Sequence, residues 1–284
     1  MQLRYVVEES PLGTGGGVRN AADLAQGTIV VLNGDVLTDA DLSAMRRFHE
    51  TTGSRTTIFL MPVDDPRAYG VVETGSGGRL ARFREKPTGD EELTTNMINA
   101  GIYLIDAELL ARIPADRPVS IEREFFPALI DAGIRSFGWT APAYWRDIGD
   151  PAAYLDAHVD LLDGRARLPL APPGRHEAGN WFGHGARVEA GAVIEPPSLL
   201  GDGVTLGPEC HVGPYAVIGD GVTIGGRGRL QRVVIWERVT VGPGATLRGC
   251  VVGTGARLGA NVELGPGVVL EAESVVPDRT RLPR

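Results

Sequence analysis

Thr28-Ile29-Val30-Val31-Leu32-Asn33-Gly34-Asp35-Val36-Leu37-Thr38-Asp39 is an apolar run that delivers a carboxylate where its apolar character stops. Ile29 to Leu32 show no polar alternation, the pattern of a strand buried on both faces of an α/β sheet. Asn33-Gly34 between apolar segments is also a hairpin signal. The segment after Asp39 decides against a hairpin: Leu42, Met45, Phe48 and His49 recur at helical spacing, acidic residues precede them and Gly53 comes after the last. The reading is strand, loop, helix. Ligands of open α/β sheets bind beyond the carboxyl ends of strands, so Asp35 either faces a ligand or serves as a helix-entry acid.

Upstream, Gln2 to Glu8 reads as a strand, followed by Ser10-Pro11-Leu12-Gly13-Thr14-Gly15-Gly16-Gly17 and a short helix through Arg19 to Ala25. Glycines that open a helix can present N–H groups to an anion, but no Gly-Lys-Ser/Thr ending makes this a P-loop. Downstream, strands are expected at Thr56 to Val63, Tyr69 to Glu73 and Leu80 to Phe83, the last running into Arg84-Glu85-Lys86-Pro87. Lys86 is either a solvated partner of Glu85 or, at a strand end, a phosphate contact. Asn99-Ala100-Gly101 is either a tight turn or a place where a ligand approaches the backbone. Ile121 to Ala132 is helical in period, and a strand comes next near Ile134 to Trp139. Asp147, in Tyr144-Trp145-Arg146-Asp147-Ile148-Gly149-Asp150-Pro151, precedes a helix from Ala152 to Leu162. Alone it is structural; paired in space with Asp35 it would make a divalent-metal site for phosphate chemistry.

Gly164 to Asn180 has the Pro, Arg and Gly content of a linker. Then a period of six takes over at Phe182, Val188, Ile194, Leu200, Leu206, Val212, Ile218, Ile224 and Leu230. It slips by one residue to Ile235, Val241 and Leu247, and again to Val252, Leu258, Leu264 and Leu270. One inward aliphatic per short strand fits a three-sided β-helix of roughly five coils. The expected division is a first domain over 1–164, a linker over 165–180 and a β-helix over 181–276. The 284 residues suffice for two cores, and the 39 glycines thicken after about residue 181. A net charge of −8 speaks against nucleic-acid and anionic-membrane partners. Two cysteines, Cys210 and Cys250, are too few for a disulfide framework or a zinc site, which makes the cytoplasm the natural setting. Nothing reads as a signal peptide or a membrane span.

Seven motifs in order carry a family resemblance: Glu9 to Gly17 (ESPLGTGGG), Leu32 to Asp39 (LNGDVLTD), Tyr69 to Glu73 (YGVVE), Phe83 to Pro87 (FREKP), Asn99 to Tyr103 (NAGIY), Ser120 to Pro127 (SIEREFFP) and Tyr144 to Pro151 (YWRDIGDP), before the hexapeptide β-helix. The chain resembles the sugar-1-phosphate nucleotidyltransferases, most closely the mannose-1-phosphate guanylyltransferase branch. The resemblance implies an α/β fold: a Rossmann-like nucleotidyltransferase sheet followed by a left-handed parallel β-helix. It implies Mg²⁺ held by Asp35 and Asp147, with Pro11, Leu12, Gly13 and Thr14 lining the nucleotide base. It places Gly70, Glu85, Asn99 and Gly101 around the sugar and Lys86 at the sugar phosphate, which makes Asp35, Lys86 and Asp147 the catalytic set. The implied reaction is attack by a sugar 1-phosphate oxygen, with mannose 1-phosphate favoured, on the α-phosphorus of a nucleoside triphosphate, with GTP favoured. Pyrophosphate leaves. Homo-oligomers through the β-helix are also implied.

Family members open with a strand, a glycine-rich loop carrying an arginine and a nearby lysine, which cradle the triphosphate. Here Met1 falls after them, so roughly eighty residues are expected to be missing, including a central strand whose loss bares a sheet edge. The expectation is little transfer activity from the 284-residue chain alone. Two other functions compete: a non-catalytic relative acting as a regulatory or binding module, and a hexapeptide-repeat acyltransferase using His184 or His211.

Overall fold

The computed structural model describes residues 2–87, 93–168, 172 and 174–282. Residues 169–171 and 173, part of the expected linker, lie outside them. Contacts divide the chain into two units: Met1–Val36 with Ala40–Trp145, and Leu37–Asp39 with Arg146–Arg284. The elements in chain order are α1 (Gly13–Asn20), β1 (Thr28–Leu32), β2 (Val36–Thr38), α2 (Leu42–Thr52), β3 (Thr56–Pro62), β4 (Gly70–Thr74), β5 (Leu80–Glu85), β6 (Met97–Asp106), α3 (Phe126–Asp131), β7 (Ser136–Trp139), β8 (Trp145–Asp147) and α4 (Pro151–Leu162). The β2 and β8 strands form a two-stranded sheet of their own.

The first unit is a mixed six-stranded sheet in the order β5-β4-β6-β3-β7, with β1 also on β6. Only the β3–β7 ladder is parallel; the β1–β6, β3–β6 and β4–β5 ladders are antiparallel. Successive residues of β3 and β6 feed opposite cores, as a period of two requires. Ile58, Leu60, Tyr103 and Ile105 pack with Phe125, Phe126 and Leu129, while Phe59, Ile102 and Leu104 pack with Met45 and Trp139. The sheet is therefore covered on both faces, with α1 and α3 on one side and α2 on the other. Asp41 caps α2 by accepting from the Ala44 N–H at 2.9 Å, and Gly53 ends it in the left-handed region at φ 58. The strand, loop and helix read from the opening stretch are present in that order.

Three local expectations are corrected. Gln2 to Glu8 is irregular, not a strand: it pairs with no strand among the described residues, and Leu3, Tyr5 and Val7 stay exposed. With no neighbouring strand to supply a ladder, the segment takes no regular extended pairing, and the Val7 carbonyl accepts from Asn20 Nδ2 instead. β1 is not buried on both faces; it runs along β6 alone, and Val30 and Leu32 are 48% and 55% exposed. The helix expected over Arg19 to Ala25 starts six residues earlier, at Gly13, so the glycines lie inside it. Gly15 and Gly16 are buried there, and a Cβ on Gly15 would meet the Val119 carbonyl oxygen at 3.1 Å. Their bareness serves close packing.

His49 in α2 is 3% exposed and puts Nδ1 2.8 Å from Thr57 Oγ1. Burial holds it below the usual histidine range of 6.5, against the opposing pull of Asp106 and Glu50. Above that range both folded and unfolded chains carry it neutral, and it costs nothing. As pH falls below 6.5 the unfolded chain takes up the proton first, so folding stability declines toward the lower folded value. Urea unfolding from pH 7.5 to 5 is expected to show a steeper acid loss for the wild type than for His49→Gln. Parallel slopes would refute the assignment.

In the second unit, β9 (Arg175–Glu177) pairs antiparallel with β10 (Asn180–Phe182), so the expected linker carries a strand. From β10 the chain winds as a parallel β-helix of six turns on three faces, not five coils, because strands continue to Arg281–Leu282. Leu200, Leu206, Val212, Ile218, Ile224, Leu230, Ile235, Val241, Leu247, Val252, Leu258 and Leu264 form one buried interior. Leu200 pairs with Ile218 across an 18-residue turn, whereas Ile218 pairs with Ile235 and Ile235 with Val252, one residue shorter each. Both shortened steps fall on the corner between the third and first faces, at Arg232 and Gly249. The slips in the sequence are thus trimmed corners that leave the aliphatic stack unbroken. α4 packs here, with Leu155 against Val234 and Val251. Among the described residues no helix is long and apolar enough to cross a membrane.

Candidate functional site

In the first unit β1 ends in the turn Asn33-Gly34-Asp35, which leaves Asp35 exposed. The Asn33 N–H donates to the Gly101 carbonyl at 2.8 Å, extending the ladder past the strand end. Opposite β3 the β6 ladder is irregular: Ile58 pairs with Tyr103 but Leu60 pairs with Asn99, so β6 bulges at Ala100-Gly101-Ile102. Gly101 takes φ 74, and a Cβ there would stand 2.7 Å from Asn33 Nδ2. Asn99-Ala100-Gly101 is therefore a bulge that admits a close neighbour, not a tight turn. Asn99 binds both ways: Oδ1 accepts from the Gly101 N–H at 3.1 Å, and Nδ2 donates to the Tyr103 hydroxyl at 2.8 Å. Burial pushes the Tyr103 phenol above its usual range, so it stays protonated.

Gly70 stands opposite Glu85 in the β4–β5 ladder. A Cβ on Gly70 would meet Glu85 Oε2 at 2.6 Å and the Phe83 ring at 3.0 Å, so the missing side chain makes room for the carboxylate. Burial raises Glu85 above the usual carboxylate range; Glu122 adds to the rise, and Lys86 and Arg123 oppose it. Lys86 comes next at φ 48, with its N–H on the Tyr69 carbonyl at 3.1 Å. Its cationic side chain leaves from the end of β5.

The Pro11–Thr14 turn is laced to a distant segment. Val119 N–H donates to the Leu12 carbonyl at 2.8 Å, and Gly15 N–H donates to the Val119 carbonyl at 2.9 Å. Gly13, at φ 74, lies where a Cβ would be 2.6 Å from that same Val119 oxygen. Leu12 N–H donates to Glu8 Oε2 at 3.0 Å. Thr14 Oγ1 donates to Glu122 Oε2 at 2.7 Å and accepts from the Ile121 N–H at 2.9 Å. Sequence reasoning gives Glu122 and Tyr103 no role, although both lie inside quoted motifs. Only the fold brings Glu122 to Thr14, 108 positions earlier.

Asp35, Pro11 to Thr14, Gly70, Glu85, Lys86, Asn99 and Gly101 all belong to the first unit, and Asp147 to the second. Asp147 Oδ1 accepts from the Gly149 N–H at 3.0 Å. Just before it, Arg146 donates from Nε and Nη2 to the buried Asp160 at 2.8 and 2.7 Å, and Arg165 Nη1 donates to the other Asp160 oxygen at 2.7 Å. No group of three His, Cys, Asp or Glu suited to a metal occurs among the described residues. Each of Asp35 and Asp147 offers the hard carboxylate oxygens that Mg²⁺ prefers. His184 and His211 are exposed on the β-helix, and His184 Nδ1 lies 3.4 Å from Asp202 Oδ1.

The nucleotidyl transferase family matches residues 1–164, and the GMPPB C-terminal domain matches residues 194–283. A mannose-1-phosphate guanylyltransferase of Mycobacterium tuberculosis is 41% identical over 73% of this chain and 57% of its own length. A mannose-1-phosphate guanyltransferase of Schizosaccharomyces pombe is 36% identical over all of this chain and 76% of its own. The mannose-1-phosphate guanylyltransferase catalytic subunit beta of Danio rerio is 34% identical over 95% of this chain and 71% of its own. The chain thus spans little more than half of the mycobacterial relative. Among solved structures, HddC from Yersinia pseudotuberculosis is similar with a TM-score of 0.45 and 28% identity, over 53% of this chain and 63% of that one.

Proposed function

This chain belongs to the nucleotidyl transferase family, and from that premise we propose that it serves guanylyl transfer from GTP to mannose 1-phosphate, with release of pyrophosphate. The relatives' names supply the substrates. The observation that carries the reading is the seating of Glu85 on the bare backbone of Gly70, in the same unit as the Asn99–Tyr103 pair and the bulge at Gly101. In this reading Glu85 and Asn99 hold sugar hydroxyls, and Lys86 meets the phosphate of the attacking sugar. The Pro11–Thr14 turn carries the base. Asp35 and Asp147 are the proposed carboxylates for Mg²⁺, which when bound would offset charge on the transferring phosphoryl group. The chain's own groups perform no covalent step; they position two anions and reduce the repulsion between them.

The test is calorimetric binding of mannose 1-phosphate. Gly70→Ala sets a Cβ 2.6 Å from Glu85 Oε2 and displaces it. A hydrogen bond to a charged group contributes about 1.5–3 kcal/mol, so affinity is expected to fall about tenfold or more. Equal affinity in the variant, or no mannose 1-phosphate binding by the wild type, would sink the reading.

A further inference from the structure

Glu122 occupies a junction. Its Oε2 accepts from Thr14 Oγ1 at 2.7 Å and from Ser120 Oγ at 2.9 Å. The same segment holds the turn by its backbone, through Val119 on Leu12, Gly15 and Gly16 and through Ile121 on Thr14. Glu122 stands in the first turn of a π-helical segment, Ile121–Phe125, whose Ser120 cap accepts from the Arg123 N–H at 3.0 Å. Single π-turns interrupt regular helices and frequently mark functional positions. The segment continues into α3, where Phe126 stacks on Phe83 with ring centroids 5.6 Å apart and meets Tyr103 at a tilt, 4.9 Å between centroids. Phe83 is two residues before Glu85, and its ring also borders the space over Gly70. The charge of Glu122 acts on both Glu85 and Tyr103. One side chain therefore grips the glycine-rich turn, and the segment that carries it packs through Phe126 on the strand that ends in Glu85.

We propose that Glu122 is a positioning residue that ties the nucleotide-binding turn Pro11–Thr14 to the segment 120–131, which packs through Phe126 on Phe83 beside the sugar-binding carboxylate Glu85, so that the two substrate subsites keep a fixed spacing. The assignment rests on the functional reading above. A carboxylate that only capped its own helical segment would have no need of Thr14, 108 residues away. The groups facing Glu85 are Glu122, Lys86 and Arg123, so removing the one like charge leaves two cations beside it.

Two variants separate geometry from charge. Glu122→Gln keeps an oxygen for Thr14 and Ser120 but removes the charge; Glu122→Ala removes both. Amide exchange at Gly15 and Gly16 and the NMR titration of the Glu85 carboxylate are read without substrate. GTP and mannose 1-phosphate KM and kcat are read alongside. In Glu122→Ala the two amides are expected to exchange roughly tenfold faster and the GTP KM to rise about tenfold, the loss of one bond to a charged group. In Glu122→Gln exchange and KM stay near wild type, while the Glu85 titration and the acid limb of kcat/KM for mannose 1-phosphate both move to lower pH. Unchanged exchange and GTP KM in Glu122→Ala, or a loss of amide protection in Glu122→Gln as large as in Glu122→Ala, overturns the proposal. A wild type that binds neither substrate retires the functional reading instead, and exchange and titration still report on the tie, so the two failures are distinguishable.

Discussion

In the proposed reaction, Asp35→Asn is expected to lower guanylyl transfer to about a thousandth of the wild-type rate, the scale on which one preorganised electrostatic contact to a developing charge is lost. Asp35 is exposed at the end of β1, in the turn that Asn33 pins to Gly101, so its side chain contributes to no core. Stability should stay within about 0.5 kcal/mol, as for surface substitutions away from packed features. The amide keeps the shape and one oxygen but gives up the charge that Mg²⁺ needs. Asp147→Asn should behave alike, since the Asn oxygen can still accept from the Gly149 N–H. The measurement is GDP-mannose formed per unit time against Mg²⁺ concentration, with thermal melts alongside. A variant that turns over near normally, or that melts far below the wild type, removes Asp35 from the role given to it.

The largest effect on stability is expected at Asp160, in α4. Its side chain is 4% exposed and takes two bonds from Arg146 and one from Arg165. Deleting one member of a buried ion pair costs about 3–5 kcal/mol because the partner's charge is left without compensation. Arg165 is 60% exposed and can rehydrate, so Asp160→Ala should fall at the lower end, about 3 kcal/mol. Repeat domains unfold in parts, so the readout is amide exchange along α4 together with the urea midpoint. Loss of protection confined to α4 and the adjoining β-helix turns fits the network. A shift below about 1 kcal/mol would mean that Arg146 and Arg165 find other partners at no cost.

The β-helix is legible in the sequence because each hexad repeats the same statement: an aliphatic every six residues, then a corner, and even the two slips survive as physical features. The first unit is legible where a local rule operates alone, as with Asp41 and Gly53 at the ends of α2. It misleads where distant chain decides. Ile29 to Leu32 look doubly buried, yet whether an apolar strand is covered depends on what lies beside it, and among the described residues β1 has only β6. Gly15 and Gly16 look like a loop because their partner, Val119, is about a hundred residues on. Glu122 sits in a motif whose spacing carries no hint of Thr14. Gly70 and Gly101 are named through resemblance; the fold adds the reason, a carboxylate over one and an amide against the other.

The trimmed corners of the β-helix make its tolerance of length change directional. Along the interior the layers are indifferent to whether a turn is full or one residue short, since Ile218, Ile235 and Val252 remain stacked in either case. Along the outside they are not indifferent, because the edge that lost residues borders the groove formed by Ala152 and Leu155 of α4 with Pro214, Tyr215, Arg232 and Gly249. Asp156 of the same helix is paired to Arg232 at that edge. A solenoid is usually regarded as a free ruler whose increments can be added anywhere. Here one of its three edges is already occupied by α4, so a residue added to or removed from that edge has to be accommodated by a helix belonging to another part of the sequence.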